Sequence, residues 1–257
     1  MRFSANLGFL WAGLPMPEAI ARAANAGFAA VEAHWPYSED PAAVKAALEA
    51  AGLPLLGVNT LPGDRAAGEF GLFALPGRGE DAMASFEPAL DFAVATGARM
   101  IHAMAGKAEG PAAMTTLVAN LREATRRAAP HGIKVLIEPI NQRDAPGYFL
   151  SDLDQAAAIV ETVGADNLAI LFDCYHMQIS GGDLLSRFRS HLPMIGHVQF
   201  AAVPDRGEPD RGEVDYRWML PELQAAGYQG FFGAEYRPRG DIEAGFGWLD
   251  AYGAAKA

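Results

Sequence analysis

The sequence of 257 residues has one cysteine, Cys174, and no long uninterrupted hydrophobic run. A single thiol cannot form a disulfide within the chain, so a disulfide framework is excluded and the reducing cytoplasm is the expected location. Glycine, proline or a charged residue interrupts every apolar stretch before the roughly 18 residues of a membrane-spanning helix. The N-terminal MRFSANLGF also lacks the pattern of a secretory signal. We therefore expect no membrane partner.

Basic residues are in the minority. The chain has 20 Lys and Arg against 31 Asp and Glu, and its formal net charge is −11. Binding to a phosphate backbone needs a basic surface, so nucleic acid is not expected as a partner. Hydrophobic residues make up 51% of the chain, which is enough to build one large core. No linker or low-complexity tract divides the sequence, so one domain over residues 1–257 is expected; association into a homo-oligomer is left open.

One phrase recurs six times along the chain. It consists of an Ala-rich stretch, a glycine, and a short aliphatic run that ends in a polar residue. The glycine stands where the end of a helix needs a left-handed residue. The apolar run that follows is typical of a buried parallel strand. The six runs cover residues 27–32, 52–59, 97–102, 132–138, 164–173 and 227–235.

Two further runs, at 2–6 and 194–199, complete a set of eight strands. The Ala-rich segments between them are amphipathic, and their starts carry Pro17 and Pro41 in first-turn positions and Ser151 as an expected N-cap. Eight strands that alternate with helices over about 250 residues predict an α/β fold of the (β/α)₈ or TIM barrel class. An open doubly wound sheet is the rival, but the G-x-G-x-x-G turn expected after its first strand is missing.

Four of the strand ends carry oxygen ligands. They are separated by 35, 26 and 36 residues, each about one βα unit, so all four side chains should meet at the C-terminal mouth of the barrel. A single carboxylate there is usually solvated or paired with arginine, but several together repel unless a cation neutralises them. Ligation by oxygen alone predicts Mg²⁺ or Mn²⁺, with Co²⁺ possible. The four residues are Glu138, Asp173, Gln199 and Glu235.

Other candidates stand beside these ligands. His176 follows Asp173 by three residues and is expected either to reach a substrate oxygen or to serve as a structural histidine. His197 lies two residues before Gln199, one layer deeper in the barrel, where it would support the ligands. A substrate carboxylate needs at least one cation, and the mouth loops offer Arg65, Lys107, Arg206 and Arg237 without deciding among them. The aromatic residues Trp11, Trp35 and Phe70 are candidates for the pocket wall.

Four motifs together resemble the hydroxypyruvate isomerase family of xylose-isomerase-like barrels: IEPINQRDAPGYFL, FDCYHMQISGGDL, IGHVQFAAVPDRGEPDRGEVDY and GFFGAEYRP. The resemblance extends over nearly the whole chain. It implies that Glu138 and Glu235 are the proton donor and acceptor and that both join Asp173 and Gln199 as metal ligands. Related ketose 3-epimerases usually have His in place of Gln199.

The resemblance also implies the substrate contacts. One loop departs from the family, because Val58 and Thr60 flank Asn59 where relatives commonly show a His beside the Asn. The residues expected to contact substrate are Asn59, Lys107, Arg206 and Glu208.

The activity implied is the interconversion of hydroxypyruvate and tartronate semialdehyde through an enediolate, with a divalent metal to stabilise its charge and His176 to aid exchange of the oxygen-bound proton. An isomerase of 2-oxo-tetronates is a close alternative, and a ketose 3-epimerase a more distant one. From other classes, a metal-dependent phosphodiesterase would need more His ligands and a basic groove. A non-catalytic sugar-acid binding protein would not need paired carboxylates on a metal.

Overall fold

The Ala-rich segments form helices that pack around a sheet. The structure is a computed structural model that describes residues 1–253. Within these residues, no helix has both the length and the apolar character needed to cross a bilayer. The helices are α1 (Met16–Ala26), α2 (Pro41–Ala51), α3 (Gly79–Thr96), α4 (Gly110–Ala128), α5 (Leu153–Val163), α6 (Cys174–Ser180), α7 (Leu184–His191), α8 (Tyr216–Ala225) and α9 (Gly247–Ala251).

The predicted start and stop signals explain several helix ends. Pro17 and Pro41 lie in the first turns of α1 and α2, where a missing backbone N–H has no cost. Gly27 ends α1 in the left-handed conformation with a φ of 91°. The expected N-cap at Ser151 is wrong by one residue. The side chain of Asp152 caps α5 instead, because its carboxylate accepts hydrogen bonds from two first-turn N–H groups and carries the charge that a helix N-terminus favours.

The eight predicted strands all form and are parallel to their neighbours. In sheet order they run β2-β1-β8-β7-β6-β5-β4-β3. Between the two end strands, backbone hydrogen bonds from Ala33 N to Gly57 O (3.0 Å) and from Asn59 N to His34 O (2.8 Å) bring the sheet nearly to closure. The strands are β1 (Phe3–Asn6), β2 (Ala30–Glu32), β3 (Gly57–Asn59), β4 (Met100–His102), β5 (Lys134–Ile137), β6 (Leu168–Asp173), β7 (Ile195–Phe200) and β8 (Phe232–Ala234). The prediction of a single TIM barrel domain is confirmed.

Alternation along the strands separates an outer core from the barrel interior. Ile137, Phe172 and Val198 belong to the large apolar core that includes the helices, whereas Leu136 and Leu171 belong to a small separate cluster. Side chains two residues apart on a strand share a face. The residue that follows Ile137 and the residue that follows Phe172 therefore face the barrel interior, where the mouth opens.

Three of the mouth loops are joined to one another by backbone contacts. Antiparallel bridges pair Gly71 with Ala105 and Lys107 with Tyr148, so the loops after β3, β4 and β5 are connected in series. Gly71 has a φ of 110°, and a Cβ atom there would lie 2.5 Å from the carbonyl oxygen of Met104. Only glycine allows this close approach. The loop from residue 61 to 78 is thereby held against the end of β4.

Candidate active site

A cavity of about 410 Å³ opens among the loops that follow the strand ends. Its walls consist of charged, polar and aromatic side chains. It lies where the C-terminal ends of the strands converge. Nine of the residues that the sequence named as candidates for the site line it, namely Trp35, Asn59, Arg65, Phe70, Glu138, His176, Arg206, Glu235 and Arg237. The cavity is thus the place where the predicted groups come together.

Glu138, Asp173 and His176 form a buried group at the base of this site. One potential ligand atom from each lies within 4.8 Å of the others. Nε2 of His176 is 3.7 Å from Oε1 of Glu138 and 3.5 Å from Oδ2 of Asp173. Asp173 ends β6 and also caps α6, where its Oδ1 accepts a hydrogen bond from the N–H of Tyr175. The cap fixes the carboxylate so that its other oxygen faces the group.

Glu235 lies just beyond β8 and is held by three donors or partners. Its Oε2 accepts a 2.6 Å hydrogen bond from Nη2 of Arg206, and its Oε1 is 2.9 Å from both Nδ2 of Asn6 and Nε2 of His34. Burial alone would raise the pKa of Glu235, but Arg206 and His34 outweigh it and lower the pKa to about 2. Glu235 is therefore ionised.

The pKa values of Glu138 and Asp173 are shifted in the opposite direction, upward. Burial and the neighbouring charges of Glu235 and Asp173 raise the pKa of Glu138 well above its usual range. Burial likewise raises the pKa of Asp173 to about 7, against the opposing effect of Arg206. Crowded carboxyl groups cannot all ionise without a compensating cation. Glu138 and Asp173 are therefore the groups of this cluster that retain protons.

The hydrogen bonds of His176 define its tautomer. Asn141 accepts a 2.9 Å hydrogen bond from the N–H of Asp144 through Oδ1, which leaves its Nδ2 to donate to Nδ1 of His176 at 2.6 Å. Since Nδ1 is an acceptor, the proton of the neutral ring is on Nε2, which faces the two carboxyl groups. Burial, followed by the charge of Arg206, lowers the pKa of His176 to about 3. The ring is a neutral N–H donor.

Gln199 is connected to a deeper polar layer. Its Nε2 donates to Oε2 of Glu32 at 2.8 Å, and Nε2 of His197 lies 2.9 Å from Oε1 of the same carboxylate. Burial opposes ionisation of Glu32, but His197, Ser4 and Gln199 together lower its pKa. Because Glu32 binds the amide nitrogen of Gln199, the amide oxygen is the atom that remains available as a ligand.

The donor set fits a hard divalent cation. Within residues 1–253, three buried oxygens of the four predicted ligands lack a hydrogen-bond partner: Glu138 Oε1, Asp173 Oδ2 and Gln199 Oε1. Buried polar atoms are nearly always satisfied, so three unpaired oxygens at the strand ends indicate a missing positive ligand. The carboxyl oxygens of the Glu138, Asp173 and His176 group could hold such an ion.

Two predicted substrate contacts lie away from the cavity. Lys107 is exposed and is not part of the lining. Glu208 is buried, but its Oε1 accepts a 2.9 Å hydrogen bond from the backbone N–H of Arg239, and its Oε2 is 3.2 Å from Nη1 of that residue. Glu208 therefore connects the loop after β7 to the segment after β8. Of the predicted aromatic wall, Trp35 and Phe70 line the cavity, whereas Trp11 lines a neighbouring one.

Sequence reasoning missed two histidines that line the cavity. His34 contacts Glu235 as described, and Nδ1 of His102 is 3.5 Å from Oε2 of Glu138. Burial, mainly, lowers the pKa of His102 to about 4, so that its ring is also neutral. His102 ends β4, and the one-per-unit rule that identified the oxygen ligands would have found it if nitrogen groups had been counted.

Comparison with known proteins agrees with the fold and the motifs. The family described as xylose isomerase-like TIM barrel matches residues 20–252. A 2-oxo-tetronate isomerase of Cupriavidus necator is 45% identical over 255 residues, which cover 98% of each protein. A hydroxypyruvate isomerase of Escherichia coli is 38% identical over 258 residues, with 98% of this chain and 99% of the relative covered.

Among solved structures, a protein of Brucella melitensis described as an AP endonuclease of family 2 is 40% identical, with a TM-score of 0.94 and 98% of both chains covered. The level of identity to the two isomerases, over nearly their full lengths, extends well beyond the four motifs. The chain belongs to the hydroxypyruvate isomerase family of xylose isomerase-like TIM barrels.

Proposed function

We propose that the protein is an isomerase of short 2-oxo acids that bear a neighbouring hydroxyl group, with hydroxypyruvate and tartronate semialdehyde as the reacting pair. One observation carries the proposal. Glu138 and Glu235 line the same cavity, and their pKa values are shifted in opposite directions. Two titratable groups with separated pKa values are the arrangement that acid and base chemistry requires.

The proton transfers follow from these two states. Glu235, ionised, takes a proton from C3 of hydroxypyruvate, and the C2 carbonyl oxygen gains a proton as an enediol forms. Glu138, protonated, returns a proton to C2, while the oxygen on C3 loses its proton and becomes the carbonyl of tartronate semialdehyde. No electrons are exchanged with an outside oxidant. His176, whose Nε2–H faces both carboxyl groups, moves the proton between the two oxygens.

A divalent cation, Mg²⁺ or Mn²⁺ with Co²⁺ as an alternative, would be held by Glu138, Asp173, Gln199 and Glu235. When bound, it would supply Lewis-acid stabilisation of negative charge on the substrate oxygens. The three unpaired oxygens support this assignment. The fourth, Glu235, is held by Arg206 in the metal-free arrangement, so that the guanidinium provides the compensating charge there.

Two alternatives differ in substrate. A 2-oxo-tetronate is one carbon longer and is the substrate in the name of the Cupriavidus necator relative. A ketose 3-epimerase would act on a neutral sugar. The name of the Brucella melitensis relative suggests DNA cleavage, but a chain with a net charge of −11 offers little attraction for a phosphate backbone.

We also infer a cytoplasmic location, which the buried free thiol of Cys174 favours.

The test is a substrate panel with added Mn²⁺ and with chelator. Hydroxypyruvate, the 2-oxo-tetronates, neutral ketoses and DNA with an abasic site are each incubated with the protein, and products are identified by NMR or electrophoresis. We expect carbonyl migration in an oxo acid that the chelator suppresses. Loss of stereochemistry at C3 of a ketose would establish the epimerase instead, and strand cleavage the endonuclease. If the protein converts none of these compounds, a non-catalytic binding protein is favoured.

A further inference from the structure

The cavity is lined by arginines of two kinds. Arg206 forms ion pairs with Glu235 and Asp173, so its positive charge already has partners within the protein. Arg65 and Arg237 also line the cavity, and within residues 1–253 neither side chain has a carboxylate within 4 Å or a hydrogen bond to a protein acceptor. We propose that Arg65 and Arg237 bind the carboxylate of the substrate, an inference that rests on the proposed function and names the residues that select an acid over a neutral sugar.

Charge balance in the cavity supports this assignment. Its lining also includes the ionised carboxyl groups of Asp144 and Glu235, which repel an anionic substrate. Asp144 accepts a 2.7 Å hydrogen bond from the hydroxyl group of Tyr175, and this contact adds no positive charge to the lining. An anion therefore needs cations that are not already engaged, and a guanidinium offers donors with the geometry that a carboxylate matches.

A continuous aromatic wall holds the two arginines. The guanidinium carbon of Arg65 lies 5.2 Å from the ring centroid of Trp35, and that of Arg237 lies 5.9 Å from the ring centroid of Phe9. Between these rings stands His34, whose centroid is 5.2 Å from each of them. Cation–π contacts of this kind restrict a guanidinium without occupying its N–H donors. The donors of both arginines remain available to a ligand.

The same wall connects carboxylate binding with the reacting carbons. The His34 ring is nearly perpendicular to Phe9 and tilted against Trp35, and its Nε2 lies 2.9 Å from Oε1 of Glu235. The arginines are exposed at the rim, whereas Glu235 is buried. A short oxo acid bound through its carboxylate at the rim therefore has its hydroxyl and carbonyl carbons directed inward, toward Glu235 and Glu138.

The proposal is tested with Arg65→Met, Arg237→Met and the double variant. Steady-state kinetics on hydroxypyruvate and 2-oxo-tetronate give KM and kcat, and calorimetry measures binding of D-glycerate, an unreactive acid of the same length. Each loss of a charge-assisted contact should raise KM and weaken glycerate binding about tenfold, and the double variant more, with kcat changed much less. Lysine at either position should restore part of the affinity. Arg211 is an exposed arginine in the loop after β7, with its Nη2 4.0 Å from Oδ2 of Asp205, and it lies outside the cavity lining. Arg211→Met removes the same charge and should leave KM and the glycerate affinity unchanged.

The outcomes separate this proposal from the proposed function. Oxo-acid turnover with unchanged KM and glycerate affinity in the double variant would overturn the assignment and leave the isomerase intact. Wild-type protein that turns over no oxo acid but binds glycerate through these arginines would overturn the isomerase and keep the carboxylate site. An equal effect of Arg211→Met would show a general field at the mouth, and this also would contradict the assignment.

Discussion

Nη2 of Arg206 lies 2.6 Å from Oε2 of Glu235, and the same nitrogen is 3.5 Å from Oδ2 of Asp173. One guanidinium thus spans two carboxylates that we propose as metal ligands. Its ring neighbours are Phe9 and Tyr175, at 5.1 and 4.9 Å from the guanidinium carbon. Arg206 is therefore a cation that compensates negative charge in this cluster of acids.

Arg206→Met should therefore destabilise the metal-free protein by about 3 kcal/mol, since removal of one partner leaves buried charges uncompensated. Added Mn²⁺ should raise the melting temperature more in the variant than in the wild type. Thermal unfolding with EDTA and with Mn²⁺ measures both effects. Arg211→Met is the control. If Arg206→Met melts like this control in EDTA, the guanidinium is not the compensating charge.

The raised pKa of Asp173 predicts a pH dependence of stability. The unfolded carboxyl releases its proton near 3.8, whereas the folded group, mainly because of burial, retains it to about 7. Between these values the folded state binds more protons, so this group makes the protein less stable as the pH rises through the window. Asp173→Asn keeps the cap on α6 and removes the titration.

The measurement is urea unfolding in EDTA from pH 4.5 to 7.5. The free energy of unfolding of Asp173→Asn, relative to wild type, should increase as the pH rises to about 7 and then level off. Saturating Mn²⁺ should stabilise the wild type above pH 7 and reduce the difference. Parallel curves for the two proteins in EDTA would rule out a raised pKa at Asp173.

Glu138→Gln and Glu235→Gln should each lower kcat by at least about 10²-fold, because each removes one partner of the proton transfer. The glutamines are close in size, so the circular dichroism spectrum should be unchanged. Reaction in D₂O followed by NMR shows whether deuterium still enters the carbon chain. Glu213→Gln, an exposed acid in a mouth loop, is the matched control. Near-normal turnover in either active-site variant would refute its role.

Asn141→Asp should reverse the tautomer of His176. The new carboxylate accepts a hydrogen bond where the amide donated one, so the ring proton moves to Nδ1 and the Nε2–H that faces Glu138 and Asp173 is lost. We expect kcat to fall about 10²-fold. ¹⁵N NMR of labelled histidine reports the tautomer directly. Gln142→Glu adds the same charge at the next residue. A wild-type spectrum with the proton on Nδ1 would contradict the assignment.

The sequence was sufficient to predict the barrel and to expect carboxyl groups together at its mouth, because each βα unit delivers one strand end there. That rule places Glu138, Asp173 and Glu235 without knowledge of any contact. It does not reveal that His34 bonds to Glu235, since these residues are 201 positions apart and on strands that meet only through β1.

Loop residues were harder to predict for a physical reason. A loop has no periodicity, so the direction of its side chains depends on local partners. Glu208 bonds to Arg239 in the segment after β8, and Lys107 is exposed and outside the cavity lining. Arg65 and Arg237 were among several equivalent cations until the structure showed that neither has an ion pair with any of residues 1–253.

The backbone bridges from Gly71 to Ala105 and from Lys107 to Tyr148 have a consequence for how this pocket can change. Loops that are joined in series cannot be lengthened one at a time, because an insertion in the loop at 61–78 disrupts its pairing with the next. Adaptation to longer sugar acids, in evolution or in the laboratory, should therefore proceed by side-chain replacement within these loops or by coordinated changes in all three.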